Sequence, residues 1–204
     1  MPRTRGEAIT VCFTPSGRHE RYPLDHKLYW HSKGYETTMR TLERLAAKYP
    51  IQLEVINGNQ VSHVRLDLEE YIGGDIVPKL VEQNQRNFGN SKRRFLHLDI
   101  TSDYLPQVDL ILSRDCLVHF PFSEISAALK NFKSSQSTYL LTTTFTGPRP
   151  NLDIPMGEWR TLNLQMPPFN FHPPLRLINE KCTENNGTYA DKCLGLWRLE
   201  DLRV

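Results

Sequence analysis

Three aspartates stand where apolar runs end. Asp75 follows Tyr71-Ile72-Gly73-Gly74, Asp99 follows Phe95-Leu96-His97-Leu98, and Asp115 follows Leu110-Ile111-Leu112-Ser113-Arg114. Short apolar runs that stop on polar residues read as buried strands. In an open α/β sheet the ligand crevice lies beyond the carboxyl ends of the strands. A carboxylate at one such end can accept two hydrogen bonds from ribose hydroxyls, and one at the next can accept from the exocyclic amine of adenine. Asp75 and Asp99 hold those two places, each followed by an isoleucine, Ile76 and Ile100, suited to flank a flat ring. Either carboxylate taken singly would serve equally as a turn or helix cap. Two of them at consecutive strand ends favour an adenosine pocket. Beyond the third end lie Asp115 and, four residues on, His119. A histidine of near-neutral pKa is a ready general base, and Asp115 is its alternative. An ordinary histidine at a helix start is the competing reading.

These residues need a frame, and the hydrophobic pattern supplies one. Residues 1–34 show no clear period and read as an irregular arm, with residues 35–204 as the domain proper. Met39, Leu42, Leu45 and Ala46 fall at helical spacing within 35–48, and Pro50 ends that helix. Residues 51–56 alternate in part and read as a first strand, followed by the turn Asn57-Gly58-Asn59. Further strands are expected at 71–75, 93–99, 108–113 and 138–145. Helices are expected from Pro78 to Phe88 and from Phe122 to Ser134, the second with Ser123 as its N-cap. Residues 147–174 form a long Pro- and Asn-rich loop, and long loops in small domains often carry function. Two strand-like runs, 175–182 and 192–200, close the chain as an antiparallel hairpin. Alternation of this kind predicts an α/β sandwich with a mostly parallel sheet.

Bulk properties narrow the function. The 204 residues carry a net charge of only +2, which argues against a dedicated nucleic-acid binder. No apolar run approaches the roughly 20 residues needed to span a bilayer. The basic N-terminus lacks the apolar core of a signal peptide, so a cytoplasmic protein with no membrane partner is expected. The four cysteines form no C-x-x-C pair, so no metal site is expected. Cys182 and Cys193 either face each other as a disulfide or, more in keeping with a cytoplasmic chain, stay reduced.

The segments Tyr71-Ile72-Gly73-Gly74-Asp75-Ile76-Val77-Pro78, Leu98-Asp99-Ile100-Thr101, Arg114-Asp115-Cys116-Leu117-Val118-His119 and Thr142-Thr143-Thr144-Phe145 resemble class I S-adenosylmethionine-dependent methyltransferases. Together with Leu162-Asn163-Leu164-Gln165-Met166-Pro167-Pro168-Phe169-Asn170-Phe171, they are similar to a small bacterial-type group of unassigned substrate. The resemblance spans about 35–200. It implies a Rossmann-like three-layer α/β/α sandwich whose seven-stranded, mostly parallel sheet ends in an antiparallel hairpin strand. It implies S-adenosyl-L-methionine as cofactor, with Asp75 on the ribose, Asp99 on the adenine amine, and Ser113 and Arg114 beneath the cofactor. It sets Asp115 and His119 at the reacting end. Of the glycine-rich motif after the first strand, Glu54 and Gly58 can be placed, but the other small residues are absent and the motif is degenerate. The implied reaction is methyl transfer to a small-molecule or sugar-like acceptor, with oxygen favoured. Trp159, Phe169, Asn170 and Phe171 of the long loop are candidate acceptor contacts. The alternative is a methyltransferase-fold protein that has lost cofactor binding and acts as an interaction module. A nicotinamide enzyme is disfavoured because no G-x-G-x-x-G follows the first strand.

Overall fold

A computed structural model describes residues 70–204, together with the backbone of three short strands upstream. In chain order the elements are β1 (Glu7–Val11), β2 (Ile56–Asn57), β3 (Gln60–Val61), β4 (Glu70–Asp75), α1 (Pro78–Phe88), β5 (Arg93–His97), β6 (Leu110–Ser113), α2 (Phe122–Ser134), β7 (Tyr139–Phe145), β8 (Arg176–Asn179) and β9 (Lys192–Arg198). Seven of the strands form one sheet in the order β5-β4-β1-β6-β7-β9-β8. The first five in that row are mutually parallel, and β9 runs antiparallel to both β7 and β8. The strand order turns back at β1, flanked by β4 and β6, which is the kind of switch point where such sheets open a crevice.

One expectation is corrected here. Of the stretch 51–56, expected as the first strand, only Ile56 is described. Ile56, with Asn57 of the expected turn, pairs with Gln60–Val61 in a separate two-stranded ribbon. Glu7–Val11, inside the stretch read as an irregular arm, takes the central place and pairs with both neighbours. Five residues, of which Ile9, Thr10 and Val11 are β-branched, are too short a run to stand out from a stretch without a clear period. Their strand character comes from the two strands that flank them.

Elsewhere local chemistry and fold agree. Pro78 opens α1 at a position where its missing N–H costs nothing. Helix α2 buries Ile125, Ala128, Leu129 and Phe132, at helical spacing. Its cap differs from expectation: Pro121 is the N-cap, and Asp153 of the long loop accepts from Phe122 N at 2.8 Å, while Ser123 lies within the first turn. The core gathers Ile72, Ile111, Leu140, Leu162, Phe171 and Trp197, among others. Gly195 admits the fully buried Trp197, because a Cβ there would stand 2.2 Å from the indole. Cys182 and Cys193 are free thiols in buried positions, and burial pushes Cys193 up to about 11. No described helix is long and apolar enough to cross a membrane.

Candidate functional site

The carboxyl ends of the parallel strands share one edge of the sheet, and the charged residues collect there. Asp75 ends β4 and is buried; its Oδ1 accepts from Val77 N at 2.8 Å, a turn that starts the path into α1. The next strand is tied to it, because Leu98 N donates to Asp75 O at 3.0 Å. Asp99 follows at once. Its Oδ1 accepts from Thr101 N at 2.9 Å and Thr101 Oγ1 at 2.6 Å. The two carboxylates therefore sit at adjacent strand ends, each braced by a turn of its own. Ile76 is half-buried beside them, whereas Ile100 is packed into the core cluster.

At the end of β6, Ser113 is fully buried, and its Oγ has no hydrogen-bond partner among the described residues. A buried hydroxyl left in this state is costly, which suits a site that receives a polar ligand. The chain then turns sharply. Asp115 adopts φ 52°, a left-handed conformation that aspartate tolerates, and its N–H donates to Thr143 Oγ1 at 2.8 Å. This turn sets four charges against one another. Arg114 Nη1 lies 3.1 Å from Asp115 Oδ2, and Arg114 Nε lies 2.8 Å from Glu180 Oε1. Lys192 Nζ lies 2.8 Å from Asp115 Oδ2 and 3.5 Å from Glu180 Oε2. Burial works against the charge of Asp115, but Arg114 and Lys192 outweigh it and hold the carboxyl below its ordinary range. Lys192 is likewise desolvated, yet Asp115 and Glu180 keep its pKa above the usual value. A carboxylate held so firmly ionised is a poor proton acceptor near neutral pH.

His119 is better suited to that work. It ends the short helical turn Leu117–His119. Its Nδ1 donates to the carbonyl of Glu158 at 2.9 Å. A carbonyl can only accept, so the neutral ring carries its lone pair on Nε2. Burial holds the His119 pKa below its ordinary value. The ring is therefore neutral and basic at pH 7.

The structure thus brings Ser113, Arg114, Asp115 and His119 to one edge and adds residues that spacing alone did not reveal: Thr143, Glu180, Lys192 and Arg160. Lys192 opens an otherwise apolar strand, a signal that was present in the sequence but had no visible partner. Of the proposed acceptor contacts, Trp159 is 43% exposed and meets Tyr189 and Phe145 at 5.0 and 6.1 Å between ring centres. Phe169 packs edge-on against Phe122, and Asn170 is exposed. Phe171 is a core residue against Trp197, so it stabilises the loop. Glu54 and Gly58 lie outside the described residues. Their assignment also depended on 51–56 being the first strand, whereas Glu7–Val11 precedes it and lies between β4 and β6. No cluster of metal-ligating side chains occurs among the described residues.

No protein-family model matches the chain. No curated protein matches it either. Solved structures do. Human N-acetylserotonin methyltransferase, in complex with SAM, superposes with a TM-score of 0.51 at 11% identity over 96% of this chain and 48% of its own. The trans-methyltransferase CalH in complex with SAH matches with a TM-score of 0.39 at 16% identity, over 72% of this chain and 34% of its own. The N-methyltransferase NodS from Bradyrhizobium japonicum WM9, in complex with S-adenosyl-L-homocysteine, matches with a TM-score of 0.37 at 12% identity, over 68% and 52%. The chain thus spans about a third to a half of the length of these structures. The first match shows a Rossmann-like α/β fold.

Proposed function

We propose that the chain transfers a methyl group from S-adenosyl-L-methionine to a small-molecule or sugar-like acceptor, with an oxygen as the favoured nucleophile. The observation that carries this reading is the placement of Asp75 and Asp99 at adjacent ends of parallel strands beside the switch point. Asp75 would accept from the ribose hydroxyls. Asp99 offers Oδ2 to the adenine amine, its Oδ1 being held by Thr101. Ser113 Oγ, without a partner among the described residues, offers one further contact. The sulfonium cofactor supplies an electrophilic methyl group. The protein's own work is to align the acceptor in line with it and to remove the acceptor's proton. His119 Nε2 takes that proton. Asp115, fixed by Arg114 and Lys192, shapes the field at the reacting end. Helices on both faces of the sheet, making three layers, belong to the same reading.

Calorimetric titration with S-adenosylhomocysteine tests the proposal. Micromolar binding is expected. Asp75→Ala should weaken it by about 1.5–3 kcal/mol, the range for hydrogen bonds to charged groups, which is roughly ten- to a hundredfold. The absence of heat at high ligand concentration would overturn it. A second reading, a methyltransferase-fold interaction module, is favoured by one feature: Cys12-Phe13-Thr14-Pro15-Ser16-Gly17, which follows β1, is not glycine-rich. That same absence of heat would support it.

A further inference from the structure

The long loop carries one cation into the interior. Arg160 is 6% exposed. Its backbone N–H and its Nη1 both donate to the carbonyl of Val118, at 3.2 and 3.1 Å. Its guanidinium carbon lies 5.3 Å from the centre of the Phe122 ring. Nη1 is thereby committed. Nε and Nη2 are buried and make no hydrogen bond among the described residues. These two nitrogens form one edge of the guanidinium, with parallel N–H groups matched to the two oxygens of a carboxylate. Among the described residues no carboxylate lies within ion-pair distance of Arg160. Asp153 is the acid whose charge acts on it, but Asp153 Oδ1 is taken by Phe122 N and Ile154 N at 2.8 and 3.0 Å. Burial lowers the guanidinium pKa to about 10, and Asp153 offsets only part of that effect.

This edge belongs to the same neighbourhood as the base. Gly157 N donates to His119 O at 2.9 Å, His119 Nδ1 donates to Glu158 O, and Arg160 N reaches Val118 O, one residue before His119. Segment 157–160 is therefore laced to the turn that presents His119.

We infer that the Nε–Nη2 edge of Arg160 docks a carboxylate of the methyl acceptor and so holds the reacting group toward His119. This rests on the methyl-transfer reading. One cation with one open edge fits a monoanionic carboxylate; a phosphate dianion would ask for a second cation. Both nitrogens are shut off from solvent, so an acid reaches them only by local displacement of the side chains that cover them, with Gly157 and Glu158 still bonded to His119.

The test uses the full chain labelled with nitrogen-15 and formate, the smallest carboxylate, as probe. The Nε–Hε resonance of Arg160 is assigned by its loss in Arg160→Lys. If that variant does not fold, through-bond transfer from the Arg160 backbone amide assigns it. A saturable shift with formate, absent with formamide and with chloride, is expected, and a tighter response in Asp153→Asn. No saturable shift would overturn the inference. So would a response that appears only in Asp153→Asn, because the edge would then belong to Asp153. Calorimetry with S-adenosylhomocysteine on the same sample separates the two proposals. Cofactor binding without a formate response removes the carboxylate edge and leaves methyl transfer standing. A formate response without cofactor binding overturns the acceptor role.

Discussion

Replacing Lys192 with methionine probes the charged cluster at the carboxyl edge of the sheet. In the native chain two cations, Arg114 and Lys192, face two anions, Asp115 and Glu180. Methionine keeps most of the lysine stem and leaves two carboxylates with one guanidinium between them. Removing one partner of a buried pair costs about 3–5 kcal/mol. Asp115 is 26% exposed and Arg114 still holds both acids, so the low end, about 3 kcal/mol, is the expected loss. For a chain of this size that corresponds to roughly 6–12 °C in melting temperature. Urea unfolding at pH 7 should show a lower midpoint with an unchanged slope. The effect has a pH signature. Asp115 has a folded pKa below its unfolded value, so its contribution is present above about pH 4 and is lost as pH falls through the folded pKa. The gap between native chain and variant should narrow there. Adding Glu180→Gln restores the balance of charge, and the pair should cost less than the sum of the two by about 0.5–3 kcal/mol. A penalty for Lys192→Met below about 1 kcal/mol, the value of an exposed pair, would refute the reasoning.

Three further outcomes are expected. Gly195→Ala should destabilise by about 1–3 kcal/mol through overpacking, since the added methyl meets the Trp197 ring; thermal unfolding with no loss would show that the indole can move. Asp153→Ala should cost about 0.5–2 kcal/mol as a lost helix cap while Asp153→Asn costs little, and equal penalties in urea titration would count against the capping role. In a methyl-transfer assay the rate should stay flat through neutral pH and fall only below about 6.5, because the His119 pKa is lowered by burial and the ring must be neutral to accept a proton. His119→Gln should remove that acid limb, and a limb that persists would place the base elsewhere.

Most elements from β4 onward were legible because their signals are local. Helix α2 runs over the residues that its apolar period predicts, and Pro78 opens α1. The central strand was not legible. Residues 51–56 look more like a strand than Glu7–Val11 does, but what puts β1 in the sheet is pairing with β4 and β6, residues some sixty and a hundred positions away. The site divides along the same line. Asp75, Asp99, Ser113, Asp115 and His119 follow strand ends and can be found by reading along the chain. Glu180 and Lys192 meet Arg114 and Asp115 from 66 and 77 positions away, so no spacing announces them. Arg160 was passed over because a lone arginine in a loop is ordinary until its burial is known.

The antiparallel course of β9 has a consequence for assembly of the sheet. Lys192 stands opposite Phe145, and Glu180 N bonds to Lys192 O. A slip of one residue in this pairing would turn Lys192 to the other face and present Cys193 to Asp115. Glu180, 1% exposed, would then lose the ammonium that helps to balance it. The hairpin therefore checks its own alignment. A chain that closes out of step strands a buried acid, and the same lysine that pairs with Asp115 and Glu180 rejects the misfit.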